Sequence, residues 1–151
     1  MNIGFLGLGK LGLPVSLAVE DKGHKVFGFD ISKQTIDDIK NRKIRYKEEW
    51  VDKYLPNTKL EITDIDNLVK SSEIIFVPIQ TPHDPQYEGV TRIPDKRIDF
   101  DYTYLKSGIK DLSQAIEKNG EDKVVIIIST VLPGTIRNQI KPLLGQHTKL
   151  C

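Results

Sequence analysis

The feature that most constrains this chain is a glycine-spaced break between two apolar segments at its start. Asn2-Ile3-Gly4-Phe5-Leu6 reads as a short buried strand, and it gives way to Gly7-Leu8-Gly9-Lys10-Leu11-Gly12-Leu13-Pro14. Apolar residues then return at helical spacing, at Leu11, Val15 and Ala18, with Leu13 and Leu17 flanking that line. A G-x-G-x-x-G is weak evidence alone. Between a strand and a helix it marks a turn that binds a dinucleotide.

Each part of the turn has a physical task. Gly7 permits the tight turn, Gly9 lets main chain approach a pyrophosphate, and Gly12 lets helix and strand pack closely. The helix start offers unpaired N–H groups and the positive end of a dipole. Pro14 falls in the first helical turn, where its missing N–H costs little. Gly23-His24-Lys25 reads as a turn and Val26-Phe27-Gly28-Phe29 as a second strand that ends at Asp30. An acid at this distance accepts hydrogen bonds from the adenosine ribose and repels a 2′-phosphate, which favours NAD over NADP. The competing reading is an ordinary strand–helix turn in which Asp30 only caps the next helix.

A chain of 151 residues is long enough for one well-buried domain. A net charge of +1 gives no reason to expect nucleic acid or a membrane surface as partner. No apolar run approaches the roughly 20 residues that span a bilayer, and the N-terminus lacks the basic leader of a signal peptide. The lone cysteine, Cys151, is the last residue, so no disulfide within the chain is expected and no CxxC or HExxH metal pattern is present. No metal site and a cytoplasmic location are the resulting expectations.

Beyond Asp30, Ser32 is placed to cap a helix through Ile36 and Ile39 to about Lys40. The basic stretch from Lys40 to Lys47 reads as a solvated loop leading into a short helix over Trp50, Tyr54 and Leu55. A phosphorylated substrate or a partner subunit is the alternative reading of those cations. Leu60–Thr63 alternates as a short strand, and Asp64 caps a helix through Leu68 and Val69. Ile74–Val77 is a buried strand that Pro78 should end, since proline cannot donate to a ladder. Residues 83–101 form a long polar, proline-punctuated loop, a length usually reserved for functional or mobile segments. His83, at the start of that loop, reads as an exposed loop residue, with a general acid–base role as the alternative reading, and His24 and His147 read as structural or solvated. Leu105, Ile109, Leu112 and Ile116 define a helix from Tyr102 to about Lys118, stopped by Asn119-Gly120. Val124–Ile128 lacks alternation and reads as a strand buried on both faces. A final helix carries Ile136, Ile140, Leu143 and Leu144.

Strands alternating with helices require parallel pairing and right-handed crossovers. The expected fold is therefore α/β, a doubly wound (Rossmann), mostly parallel sheet in three α/β/α layers, with strand order third, second, first, fourth, fifth. Ligands of such sheets lie beyond the carboxyl ends of the strands where the order reverses. That edge collects the Gly7–Gly12 turn, the Val77–Pro82 loop and the Ser129–Gly134 loop. Thr81 and Thr130 would then face the nicotinamide half of the dinucleotide, unless each hydroxyl only bonds local backbone.

Together these segments resemble the N-terminal NAD-binding domain of the UDP-glucose/GDP-mannose 6-dehydrogenase family. The resemblance rests on Gly7–Pro14, Asp30, the Pro78–Pro82 loop, Asp101-Tyr102 opening the next helix, and above all Ser129-Thr130-Val131-Leu132-Pro133-Gly134-Thr135. It implies cofactor contacts at Gly7, Leu8, Gly9, Lys10, Leu11, Gly12, Asp30, Lys33, Pro78, Thr81 and Thr130. It also implies oxidation of a nucleotide-linked hexose C6 alcohol to a carboxylate, with NAD as hydride acceptor and a cysteine thiolate trapping the aldehyde. Where the family carries a Pro-Ile-x-Glu-Pro-Gly-Leu-like segment, this chain has the basic Ile44–Trp50 region.

Residues 1–151 thus read as the cofactor half of a longer dehydrogenase, ending where a sixth strand should begin, with the substrate domains absent. No catalytic residue is expected in this chain, with Thr130 an auxiliary candidate only, and the chain alone should be inactive. The expected partner of the complete enzyme is a nucleotide-sugar, and homo-oligomerisation is left open. Two other readings compete. β-Hydroxyacid dehydrogenases share the G-x-G-x-x-G-x-P opening and the Gly23-His24-Lys25-Val26 turn, and a non-catalytic nucleotide-binding or interaction module would keep the fold without the chemistry.

Overall fold

Ile3, Phe5 and Leu6 carry no group that water could solvate, and their strand runs through the centre of the molecule. In the computed structural model, which describes residues 1–90 and 92–151, the elements in chain order are β1 (Asn2–Leu6), α1 (Gly12–Asp21), β2 (Lys25–Phe29), α2 (Lys33–Lys40), α3 (Val51–Tyr54), β3 (Glu61–Ile62), α4 (Ile65–Ser71), β4 (Ile74–Val77), α5 (Thr103–Asn119), β5 (Lys123–Ile127) and β6 (Thr148–Leu150). The strands form one sheet in the order β3-β2-β1-β4-β5-β6. Every pairing is parallel. The chain order reverses between β1 and its neighbour β4, where Ile3, Gly4 and Phe5 pair with Ile74, Ile75 and Phe76. The doubly wound sheet is as expected.

Two apolar layers lie against the sheet. On one face Leu13 and Leu17 of α1, Ile39 of α2, and Val51 and Leu55 pack on Ile3, Phe5 and Val26. On the other, Leu68 and Val69 of α4 and Leu105, Ile109, Leu112 and Ile116 of α5 pack on Ile75, Val77 and Val125. This is the three-layer arrangement. Caps form where short polar side chains precede the helices: Ser32 accepts from the Thr35 N–H and Asp64 from the Asn67 N–H. Gly120, at φ 74°, closes α5.

Four local expectations change. A sixth strand is present, because Thr148, Lys149 and Leu150 pair in parallel with Lys123, Val124 and Val125. The buried line of α1 runs through Gly12, Leu13, Ser16 and Leu17, while Leu11 is 48% exposed. Small residues at 12 and 16 bring the helix close to the sheet, so the larger apolar side chains beside them set the buried face. β5 is buried chiefly through Lys123 and Val125, with Val124 and Ile126 only half-buried. The α1–α3 layer leaves that face of β5 partly open. The last helix is instead a π-helical turn, Ile136–Ile140, followed by a 3-10 turn, Lys141–Leu143. Pro142 lacks the N–H that a continuing α-helix would need there.

Candidate cofactor site

The glycine turn begins as β1 ends. Gly7 still donates its N–H to the Phe29 carbonyl, at 2.8 Å, as though the ladder continued. It does so at φ 116°, a conformation that side chains resist. A Cβ on Gly12 would lie 2.1 Å from the Gly7 carbonyl oxygen and 2.8 Å from Cγ of Pro78. Close packing of helix on strand therefore excludes any side chain at 12, and Pro78 forms the opposite wall. A Cβ on Gly9 would meet nothing within 4 Å, so that position faces open space.

Helix α1 has no side-chain cap at its start. Among the described residues the N–H groups of Gly9, Lys10, Leu11 and Gly12 find no protein acceptor. Four donors at the positive end of a helix, beside a position with no side chain, form a cradle for an anion. Lys10 is exposed beside them. Leu8 turns the other way and is buried.

Asp30 stands at the end of β2 and does two things. Its Oδ2 accepts the Leu8 N–H at 2.7 Å, and its Oδ1 accepts the Ser32 N–H at 2.8 Å. The first bond ties the second strand to the glycine turn. The cap of α2 belongs to Ser32, so the reading of Asp30 as that helix's cap does not hold. A carboxylate has about four lone-pair directions, and two backbone donors leave the others for ribose hydroxyls. Ile31, next along, is 90% exposed, and Lys33 is an exposed first residue of α2.

Across the switch point, β4 stops at Val77 as Pro78 demands. Ser129 Oγ donates to the Val77 carbonyl at 3.0 Å, and Thr81 Oγ1 donates to the Thr130 carbonyl at 2.7 Å. The Thr81 hydroxyl therefore joins the loops after β4 and β5, a long-range bond that no local pattern announces. Thr130 itself is exposed, in the loop that follows β5. The structure brings together the Gly7–Gly12 turn, Asp30, Pro78, Thr81 and Thr130 along the carboxyl edge. Lys33 lies on the same edge, one helix start further out.

Sequence reasoning placed Tyr102 at the start of a helix but missed what its hydroxyl does. Its buried hydroxyl donates to Asp99 Oδ1 at 2.6 Å and accepts from the Leu132 N–H at 3.1 Å and from Thr135 Oγ1 at 3.3 Å. The only local signal was a tyrosine opening an amphipathic helix. His83 is exposed and packs edge-on against Phe100. His147 is structural, bonded through Nδ1 to Asp122 at 3.0 Å. Of the basic stretch, Arg42 donates to the Thr58 carbonyl and Arg45 pairs with Asp38, so two of its cations serve the fold. Among the described residues no cluster of three or more His, Cys, Asp or Glu is arranged for a metal, and no helix is long and apolar enough to cross a membrane.

Comparison with known proteins agrees with this geometry. Residues 1–150 match the family model described as UDP-glucose/GDP-mannose dehydrogenase family, NAD binding domain. The chain is 31% identical over 153 residues to the protein CapL of Staphylococcus aureus, covering 99% of this chain and 31% of that one. It is 29% identical over 149 residues to GDP-mannose 6-dehydrogenase of Pseudomonas aeruginosa, covering 95% and 32%. The crystal structure of a ternary complex of GDP-mannose dehydrogenase from Pseudomonas aeruginosa superposes with a TM-score of 0.83 at 27% identity, over 99% of this chain and 35% of that one. UDP-D-ManNAc dehydrogenase from Pyrococcus horikoshii superposes with a TM-score of 0.76 at 26% identity, over 99% and 35%. The chain spans 31% to 32% of the length of those curated relatives.

Proposed function

The chain belongs to the UDP-glucose/GDP-mannose dehydrogenase family as its NAD-binding domain, and from that premise we propose which residues hold the cofactor and what the complete protein does. The pyrophosphate rests on the N–H groups of Gly9 to Gly12, with Lys10 alongside. The observation that carries this is the set of four unpartnered donors beside a position where a Cβ would meet nothing. Asp30 accepts from the adenosine ribose through its free lone pairs while keeping the Leu8 N–H, and Lys33 lies at the outer end of that half. Thr81 acts through its bond to the Thr130 carbonyl, and Pro78 walls the crevice. Thr130 faces the nicotinamide half.

When bound, NAD accepts hydride; this chain's residues bind, orient and enclose it. The relatives' names point to nucleotide-sugars, and we assign the complete protein the oxidation of a nucleotide-linked hexose C6 alcohol to the carboxylate. Residues 1–151 supply the cofactor half of that enzyme, and the substrate and the nucleophile belong to further domains. Two alternatives, the β-hydroxyacid dehydrogenases and a non-catalytic module, lose ground to the family match over residues 1–150.

Calorimetric titration of the chain with NAD and NADP tests the cofactor assignment. Binding of NAD with weaker binding of NADP is the expected result, and equal or reversed preference would refute the role given to Asp30. For the complete protein, NADH absorbance on addition of a panel of nucleotide-sugars tests the substrate class, and turnover of a free 3-hydroxy acid alone would refute it.

A further inference from the structure

The long excursion after β4 and the loop after β5 are joined at two points, one at each end of the excursion. At its entry Thr81 Oγ1 donates to the Thr130 carbonyl at 2.7 Å. Its neck is closed next door, where the Asp101 N–H donates to the Pro82 carbonyl at 2.7 Å. At its exit Asp99 accepts the Tyr102 hydroxyl, which in turn accepts the Leu132 N–H and the Thr135 hydroxyl. A phenol has one proton to give and two lone pairs. All three are used here, one on the excursion and two on the loop after β5, at a residue that is 4% exposed.

We propose that Asp99 and Tyr102 are a pair of positioning residues that set the 129–135 loop, and with it Thr130, against the nicotinamide half of the cofactor. This rests on the cofactor assignment above. Neither residue touches the dinucleotide; both act through the loop main chain. The charge on Asp99 strengthens the hydroxyl bond, and the polarised hydroxyl then holds the Leu132 N–H. Because Thr81 grips the same loop from the entry side, a displacement of the excursion at either end reaches Thr130. The adenosine half lies over β1, β2 and β3, on the far side of the switch point, and is outside this linkage.

That asymmetry gives the test. NAD and ADP-ribose, which lacks the nicotinamide, are titrated calorimetrically into the wild-type chain and into Tyr102→Phe, Asp99→Ala and Asp99→Asn, with a thermal melt of each. Tyr102→Phe and Asp99→Ala should weaken NAD about five- to tenfold, the value of one ordinary hydrogen bond relayed through the loop, and leave ADP-ribose within about twofold. Asp99→Asn, whose amide oxygen still accepts the hydroxyl, should restore most of the NAD affinity. Asp99 is exposed, so its variants keep the test open if Tyr102→Phe does not fold. Equal losses for both ligands, or none for NAD, would overturn the pair, as would an asparagine variant as weak as the alanine one. A wild-type chain that bound neither ligand would overturn the cofactor assignment as well, whereas normal NAD binding with unaffected variants would overturn the pair alone.

Discussion

Replacing Asp30 with alanine separates two functions that meet in one carboxylate. In the free chain it removes the acceptors of the Leu8 and Ser32 N–H groups, held at 2.7 and 2.8 Å. Both bonds are only part-buried, so each contributes about 1 kcal/mol net. A loss of about 2 kcal/mol lowers the melting temperature of a domain this size by roughly 4–8 °C. In the complex the variant also loses the ribose bonds to a charged acceptor, roughly 1.5–3 kcal/mol, or about ten- to hundredfold in NAD affinity. NADP should suffer less, because the repulsion of its 2′-phosphate goes with the charge. Thermal melts followed by circular dichroism and calorimetric titration read the two effects separately. A fall in melting temperature with unchanged NAD affinity would reduce Asp30 to a brace between β2 and the glycine turn, and the ribose contact would have to be abandoned.

Five further substitutions, at four positions, have worked-out signs. Gly9→Val should abolish NAD binding in calorimetry with a near wild-type melt, because its Cβ meets nothing within 4 Å, whereas Gly12→Ala, 2.1 Å from the Gly7 carbonyl oxygen, should lower stability by more than about 3 kcal/mol in urea denaturation. Arg42 sits at φ 57° in the capping turn after α2 while its guanidinium bonds the Thr58 carbonyl at 3.0 Å. Arg42→Gly should relieve about 1 kcal/mol of left-handed strain and lose about as much hydrogen bonding. Its urea midpoint should stay near wild type, and Arg42→Ala should fall by about 1 kcal/mol. Hydrogen bonds from His147 and then Lys149 hold the Asp122 carboxyl below the usual carboxylate range. With the folded value the lower one, this stabilisation is present above the unfolded value of ~3.9 and is lost as the pH falls through the folded value. The melting-temperature gap between wild type and Asp122→Asn should close as the pH drops below about 4, and a gap that persisted or widened in acid would refute the contact.

The glycine turn, the caps at Ser32 and Asp64, the stop at Pro78 and the β4 core are written in short stretches of chain. Their causes act within a few residues: which φ a glycine can adopt, whether a proline can donate, which short side chain reaches an N–H. The alternation of strand and helix then leaves few topologies open, so the sheet order, and with it the edge we propose for the cofactor, followed from the same local signals. Strand β6 escaped notice because Thr148–Leu150 is too short to show a period, and it exists because β5 offers it a register.

Other features depend on partners far along the chain. The buried face of α1 was chosen by the closeness of Gly12 to the Gly7 carbonyl rather than by the apolar line Leu11, Val15 and Ala18. Thr81 meets Thr130, and Tyr102 meets Leu132 and Thr135, only because parallel strands deliver their following loops to one edge. Those bonds join residues 49, 30 and 33 positions apart. A side chain's local preferences say that it can donate or accept; strand pairing and helix packing decide which distant group stands opposite it.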